Sequence, residues 1–389
     1  MAELFDDLSL TDLHRRKSAK WTGYATDVLP SWVAEMDFPL APPIARALHA
    51  AIDASDTGYA NPVEYGATYA SYFAAELAWR FGPKDVLAVA DVMTGVRELV
   101  QVLTEPGDKM VINPPVYPPF HEVGKLAGLE TLEVPLAHQR EGRADRWSLD
   151  LEAIERAYAS GAKVHLLCSP HNPTGTVHAR ETLQQLAELA VRYGVTILSD
   201  EIHALLTHPG AVHVPFPMAS EAAASCSIVL TSASKTWNLP GLKAAAIIAT
   251  TDPMREVVRR LPEETPWHSG HLGILAGQIA FREGGPWRAR ALATLDRNRL
   301  LLTELLAQHL PAVRYTPPQA GYLAWLDCSA LGLGDDPAKA FLKKGRLALS
   351  NGPRFGAQGI GYARLNLATS RELLEEAVRR MAASVTGAP

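Results

Sequence analysis

Lys235 stands in S-A-S-K-T at the close of the apolar run S-I-V-L-T. A lysine amine leaving a buried strand becomes a nucleophile when desolvation or nearby cations lower its pKa. Ser232, Ser234 and Lys243, eight residues beyond Lys235, offer hydroxyls and a fixed positive charge suited to a phosphate. Asp200 ends V-T-I-L-S-D, and a carboxylate at a buried strand end is costly unless it meets a cation or donors. A protonated ring nitrogen would be such a cation; a helix cap or a turn is the plainer role. His203, three residues on, could orient Asp200 or a ring, or be an ordinary structural histidine. The irregular turn S-P-H-N-P-T-G (169 to 175) presents the Asn172 amide, a donor suited to a phenolate oxygen. Thr94, Gly95 and the Val96 N–H are read as opening a helix, whose N-terminus is a phosphate site or simply a capped end. Arg364 lies in Y-A-R-L-N-L-A. If Leu365 and Leu367 face the core, Arg364 and Asn366 face a cleft, where a guanidinium fork suits an α-carboxylate; a surface arginine is the plainer role.

These residues lie just after short apolar runs, which is where ligands sit in an open parallel sheet. Seven such runs recur between about Asp85 and Thr250: L-A-V-A (87 to 90), M-V-I-N-P-P (110 to 115), L-E-T-L-E-V-P-L (129 to 136), V-H-L-L-C-S-P (164 to 170), V-T-I-L-S-D (195 to 200), S-I-V-L-T-S-A-S (227 to 234) and A-A-A-I-I-A-T (244 to 250). Helical spacing separates several of them, as in Glu181 to Tyr193, where Leu183, Leu186, Ala187 and Ala190 share one face before Gly194. The alternation predicts an α/β unit with a mostly parallel seven-stranded sheet covered on both faces. After Gly284 the pattern becomes a long helix (about Trp287 to His309), strand candidates V-R-Y-T, G-Y-L-A-W-L-D-C and A-R-L-N-L-A-T, and a closing helix from about Arg371. The expected organisation is a segment 1–45 packing with a smaller α+β domain at 285–389, around a large domain at 46–284.

The 389 residues suffice for two cores. A net charge of -5 with no basic run argues against nucleic acid, and no window reaches the apolar length of a membrane span. A small-molecule ligand and a cytoplasmic location are expected. Cys168, Cys226 and Cys328 are too scattered for C-x-x-C pairs and are read as buried reduced thiols, and the histidines show no zinc spacing.

The ordered set N-P-x-G, D-E-I-H, S-x-S-K and R-x-N, with 28 residues from Asn172 to Asp200, 35 on to Lys235 and 129 more to Arg364, resembles the fold type I pyridoxal-phosphate (PLP) enzymes of the class I/II aminotransferase family. The resemblance runs from Trp32 to the closing helix. It implies that Lys235 binds the cofactor covalently and moves the Cα proton, that Asp200 pairs with the pyridinium nitrogen, and that Asn172 donates to the phenolic oxygen. It further implies that Tyr117 of P-V-Y-P-P-F stacks on the ring and that Arg364 binds the substrate α-carboxylate, with Asp37 also on the substrate side. Tyr59 of T-G-Y-A-N-P would reach the phosphate of a neighbouring subunit, in a homodimer with shared active sites. W-V-A-E-M-D-F-P (32 to 39) and S-A-S-K-T-W-N-L-P-G-L most resemble the cystathionine β-lyase group often called MalY/PatB, which eliminates thiols from cysteine S-conjugates. Glu35, Trp237 and Leu205 depart from that group's usual residues, and Leu205 bears on access to the site. An amino-acid aminotransferase and a regulator acting by protein contact are the alternatives; with only about 30 residues before W-V-A-E-M-D-F, no fused winged helix is expected.

Overall fold

All seven apolar runs contribute strands to one sheet. They are β1 (Val86–Val89), β2 (Lys109–Ile112), β3 (Glu130–Glu133), β4 (Ala162–Cys168), β5 (Thr196–Asp200), β6 (Ser227–Thr231) and β7 (Ala245–Ile248), arranged β1-β7-β6-β5-β4-β2-β3. Only β7 runs against its neighbours, β1 and β6. The runs at 110 to 115 and 164 to 170 stop short of their prolines, which have no N–H to give a ladder. This is a computed structural model; it describes residues 4–142 and 144–386, so residues 1–3 and 387–389 of the expected terminal segments lie outside the described residues.

Helices cover the sheet because their apolar positions repeat at helical spacing. In Val92–Leu103, Val92, Val96, Leu99 and Val100 are buried together. Gly95 lets that helix sit close, since a Cβ there would come 2.9 Å from Leu230 and 3.2 Å from Ile247. Arg180–Tyr193 buries Leu183, Leu186, Ala187 and Ala190 and ends at Gly194, whose φ of 68° is left-handed. In the sheet, Cys168 lies opposite Asp200 and Asp200 opposite Leu230, so the carboxyl ends of β4, β5 and β6 are level.

A second, antiparallel sheet is built from β8 (Arg314–Tyr315), β9 (Leu323–Asp327), β10 (Ser350–Asn351) and β11 (Tyr362–Asn366), in the order β8-β9-β11-β10. The helices Gly285–His309 and Arg371–Thr386 pack together beside it. The amino-terminal chain joins this region: Leu29–Pro30 pairs in parallel with Leu347–Ala348, and Ser31 N donates to Ala348 O at 2.9 Å. Phe5 stacks on Phe38 at 4.6 Å, and its N–H donates to Thr294 Oγ1.

The same segment holds a buried ion pair, Lys20 Nζ to Asp37 Oδ1 at 2.7 Å, with side chains 1% and 4% exposed. Lys20 Nζ also donates to Glu35 O, and Arg16 Nη2 to Asp37 O. A buried pair is costly to break on one side, because the remaining charge loses its partner without regaining water. Lys20→Met should therefore lower stability by roughly 3 to 5 kcal/mol in urea denaturation. Adding Asp37→Leu should recover much of the loss; a double variant as unstable as the single one would refute this account of the pair.

Candidate active site

The level ends of β4, β5 and β6 open into a cavity of about 330 Å³ lined by Asn172, Asp200, His203, Ser234, Lys235 and Tyr117, among others. That volume is ordinary for a small-ligand site. A larger depression of about 970 Å³ between the helices Val63–Glu76 and His271–Glu283 is more open, and two of its charged groups, Glu64 and Arg282, pair with each other at 3.2 Å. It contains none of the chemistry-bearing residues, so the smaller cavity is the candidate.

Asp200 is buried, and its Oδ1 accepts one hydrogen bond, from Ile202 N at 3.1 Å. Burial raises its pKa to about 7, against the opposing effects of the Ile202 N–H and Lys235. Glu201 beside it is fixed by Ser199 Oγ, Phe216 N and His213 Nε2, and its charge pushes Asp200 the same way as burial does. Among the described residues no cation forms an ion pair with this carboxylate, and Lys235 acts on it only through space. Lys235 leaves the end of β6 through the one-turn helix Ala233–Thr236. Burial, and then Arg364, lower its pKa to about 8, while Asp200 and Glu35 oppose. Its Nζ donates to Ala34 O at 2.9 Å, and Tyr322 Oη donates to the same oxygen at 3.0 Å.

The segment that carries Ala34 is held by the R-x-N motif of β11. Arg364 Nη2 donates to Trp32 O at 3.2 Å, and Asn366 Nδ2 donates to Val33 O and Glu35 O. Arg364 also donates to Asn172 Oδ1 at 2.9 Å and Ser350 Oγ at 3.1 Å, and its guanidinium lies 4.9 Å from the centroid of Phe355. Its Nε is buried without a hydrogen-bond partner. Burial lowers its pKa to about 10, so it stays a cation at neutral pH. All five residues of β11 are buried; Arg364 and Asn366 meet the site through Asn172 and the backbone of residues 32–35 and do not themselves line the cavity.

At the other end of the cavity Ser232 Oγ donates to Ala244 O and accepts from Ser234 N. Lys243, in a left-handed turn, pairs with Asp91 at 3.0 Å. Asp91 is the cap of the helix Val92–Leu103: its Oδ1 accepts from Thr94 N at 2.8 Å and from Thr94 Oγ1 at 3.0 Å. The expectation that Thr94, Gly95 and Val96 open this helix is therefore corrected. Thr94 N is spent on the cap, Gly95 N donates to Asp91 O, and neither Gly95 nor Val96 lines the cavity. Asp91, Val92 and Met93 take that place, and an Asp before an apolar helical run is the signal that would have found it.

Two further expectations change. Asp37 does not line the cavity, because its carboxylate is sequestered by Lys20 in the core. Leu205 is buried in the core, and its carbonyl accepts from Arg288 Nε, so it does not border the site opening. Tyr59 stands apart from the cavity, 84% exposed and edge-on to Trp267 at 6.2 Å. His203 lines the cavity as a neutral imidazole, its pKa lowered to about 3 chiefly by burial, with Nδ1 unpartnered. Ala34 and Tyr322 were missed: the first acts through its backbone, and the second sits in an apolar run that reads only as core.

These groups fit pyridoxal phosphate. A buried carboxylate short of a cation suits a pyridinium nitrogen, a lysine with a depressed pKa suits an aldehyde, and a helix start beside Lys243 and Ser234 suits a phosphate. The chain matches the family model described as aminotransferase class I and II over residues 34–381. A Mycobacterium leprae relative is 44% identical over 97% of this chain and 96% of its own. The cystathionine beta-lyase of Corynebacterium glutamicum is 35% identical over 96% of this chain and 98% of its own. The crystal structure of cystalysin from Treponema denticola, which contains pyridoxal phosphate, superposes with a TM-score of 0.91 at 27% identity, covering 100% of both chains. With the fold, the ordered motifs and the family match spanning the same residues, this chain belongs to the class I and II aminotransferase family.

Proposed function

We propose that this chain is a pyridoxal-phosphate-dependent carbon–sulfur lyase that eliminates the thiol from cysteine S-conjugates such as cystathionine. The thioether amino acid and water give a thiol, pyruvate and ammonium. The observation that carries the cofactor assignment is the buried Asp200 carboxylate, short of a cation, in one cavity with the depressed Lys235 amine. The choice of lyase is supported by likeness to relatives named cystathionine beta-lyase and structures named C-S lyase.

When bound, pyridoxal phosphate supplies an electron sink for the pair left on Cα as its proton departs. The chain's own residues do the rest. Arg364, steadied by Asn172, Trp32 O and Ser350, holds the α-carboxylate by a charge-assisted fork. Lys235, with a pKa near 8, accepts the Cα proton and can return it to the leaving sulfur. Tyr117, largely buried at the cavity wall, excludes water from one face. Homodimerisation is part of this reading: the exposed pair Tyr59 and Trp267 offers an aromatic surface through which Tyr59 would reach a partner's phosphate site. So are a cytoplasmic location, which suits three free buried thiols, and a division into a large domain at 46–284 and a small one at 285–389, which suits the two separate sheets.

The test is incubation with cystathionine or another cysteine conjugate and no keto acid. Pyruvate and free thiol should appear; their absence there, with amino-group transfer once a keto acid is supplied in a second incubation, would make the chain an aminotransferase instead. Borohydride should fix the cofactor covalently in the wild type and not in Lys235→Ala, and a reduced adduct in that variant would remove Lys235 from its role. Arg364→Ala should cost roughly 2 to 5 kcal/mol in kcat/KM, with Arg364→Lys a partial rescue, because an ammonium cannot form the planar pair. The check is the preference for an amino acid over its carboxamide, which should collapse in the alanine variant. An unchanged preference would mean that another cation holds the carboxylate.

A further inference from the structure

A second cavity, of about 360 Å³, adjoins the first: Met93, Arg97 and Pro119 line both, and Arg354 and Glu122 line only the outer one. Two guanidiniums against one carboxylate make the outer cavity net positive. Both arginines are exposed, and neither guanidinium has an ion-pair partner among the described residues, although Arg97 Nε donates to Met93 O at 3.1 Å. Arg354 also has a defined position relative to the reaction site. It precedes Phe355, the ring beneath Arg364, and Phe355 O accepts from Val116 N, next to Tyr117.

We infer that this outer cavity is the binding site for the far end of the substrate, and that Arg97 and Arg354 select S-conjugates whose leaving thiol carries a distal anionic group such as a carboxylate. The inference rests on the lyase reading above. With the α-carboxylate on Arg364 and the amine at Lys235, the inner cavity is committed to the amino-acid end, and the sulfur substituent is taken to leave it across the wall shared with the outer cavity. Met93, Arg97 and Pro119 are such a wall, and beyond it the unpaired charges are positive. A distal carboxylate meets two cations there without displacing an existing partner of either. Because both arginines are exposed, the attraction is screened by salt.

The experiment compares S-carboxyethyl-L-cysteine with its uncharged amide, S-carbamoylethyl-L-cysteine, by pyruvate release from the holoenzyme. Wild type should favour the acid by roughly tenfold in kcat/KM, mostly through KM, with the preference shrinking as ionic strength rises. Arg97→Met/Arg354→Met should bring the ratio near one, and Arg354→Glu should invert it. Equal turnover of both conjugates by wild type, or a ratio that survives the double substitution, would overturn the inference and leave the lyase reading standing. Pyruvate from neither conjugate would instead overturn the lyase reading and this inference with it. Titration of apoenzyme with pyridoxal phosphate completes the set. A large loss of cofactor affinity in the double variant with the acid preference intact would assign Arg97 to the phosphate and overturn the substrate role.

Discussion

Burying charge without full compensation is the constraint around which this structure is organised. Asp200 and Lys235 line one cavity, Arg364 is buried behind its wall on Asn172, and burial is the largest influence on all three. It pushes the acid up and both bases down, so each group sits closer to its neutral form than it would in water. Such an arrangement is unfavourable for an empty protein. Under the proposed function it becomes favourable when a ligand brings a ring cation to Asp200, an aldehyde to Lys235 and a carboxylate to Arg364, because the buried surroundings strengthen each of those contacts. Stability given up in the cavity is thereby returned as binding and orientation.

The rest of the fold holds these groups in place against that cost. The parallel sheet levels the ends of β4, β5 and β6, so Asn172, Asp200 and Lys235 converge although 63 residues separate the first from the last. Arg364 and Asn366 join the small antiparallel sheet to residues 32–35, and through Ala34 O to Lys235 itself. Loosening β11 would therefore disturb Arg364 and Lys235 together. The Lys20–Asp37 pair belongs to the same scaffold, fixing the far side of the W-V-A-E-M-D-F segment.

What could be read in the sequence was whatever has a period or an order. The seven strands showed as apolar runs, the helix ending at Gly194 showed its buried face at helical spacing, and Asn172, Asp200, Lys235 and Arg364 were legible as an ordered set. The misses share a cause: they depend on which partner a polar group finds in three dimensions. Asp37 is placed on the substrate side by the resemblance, yet its carboxylate faces Lys20, seventeen positions earlier. Thr94, Gly95 and Val96 read as the opening of a helix, yet Asp91 caps that helix one turn earlier and moves its start to Val92 and Met93. Ala34 acts through a carbonyl, which no side-chain pattern reports. Arg97 and Arg354 are 257 residues apart and become a pair only when the loop at Phe355 packs on the loop at Tyr117.

The central claim is that Asp200 is a buried acid awaiting a cation, and the pH dependence of stability tests it most directly. Its pKa is raised from 3.8 to about 7 on folding, so its contribution to apoprotein stability is full below the unfolded value and is lost as pH rises through the folded one. Asp200→Asn cannot titrate. From about pH 4 to about pH 8 the apo variant should therefore gain roughly 2 to 4 kcal/mol on the apo wild type in urea denaturation. Restoring pyridoxal phosphate should reverse the order at the upper pH, because only the carboxylate can pair with the ring cation. A stability difference independent of pH, or one that the cofactor leaves unchanged, would contradict the account.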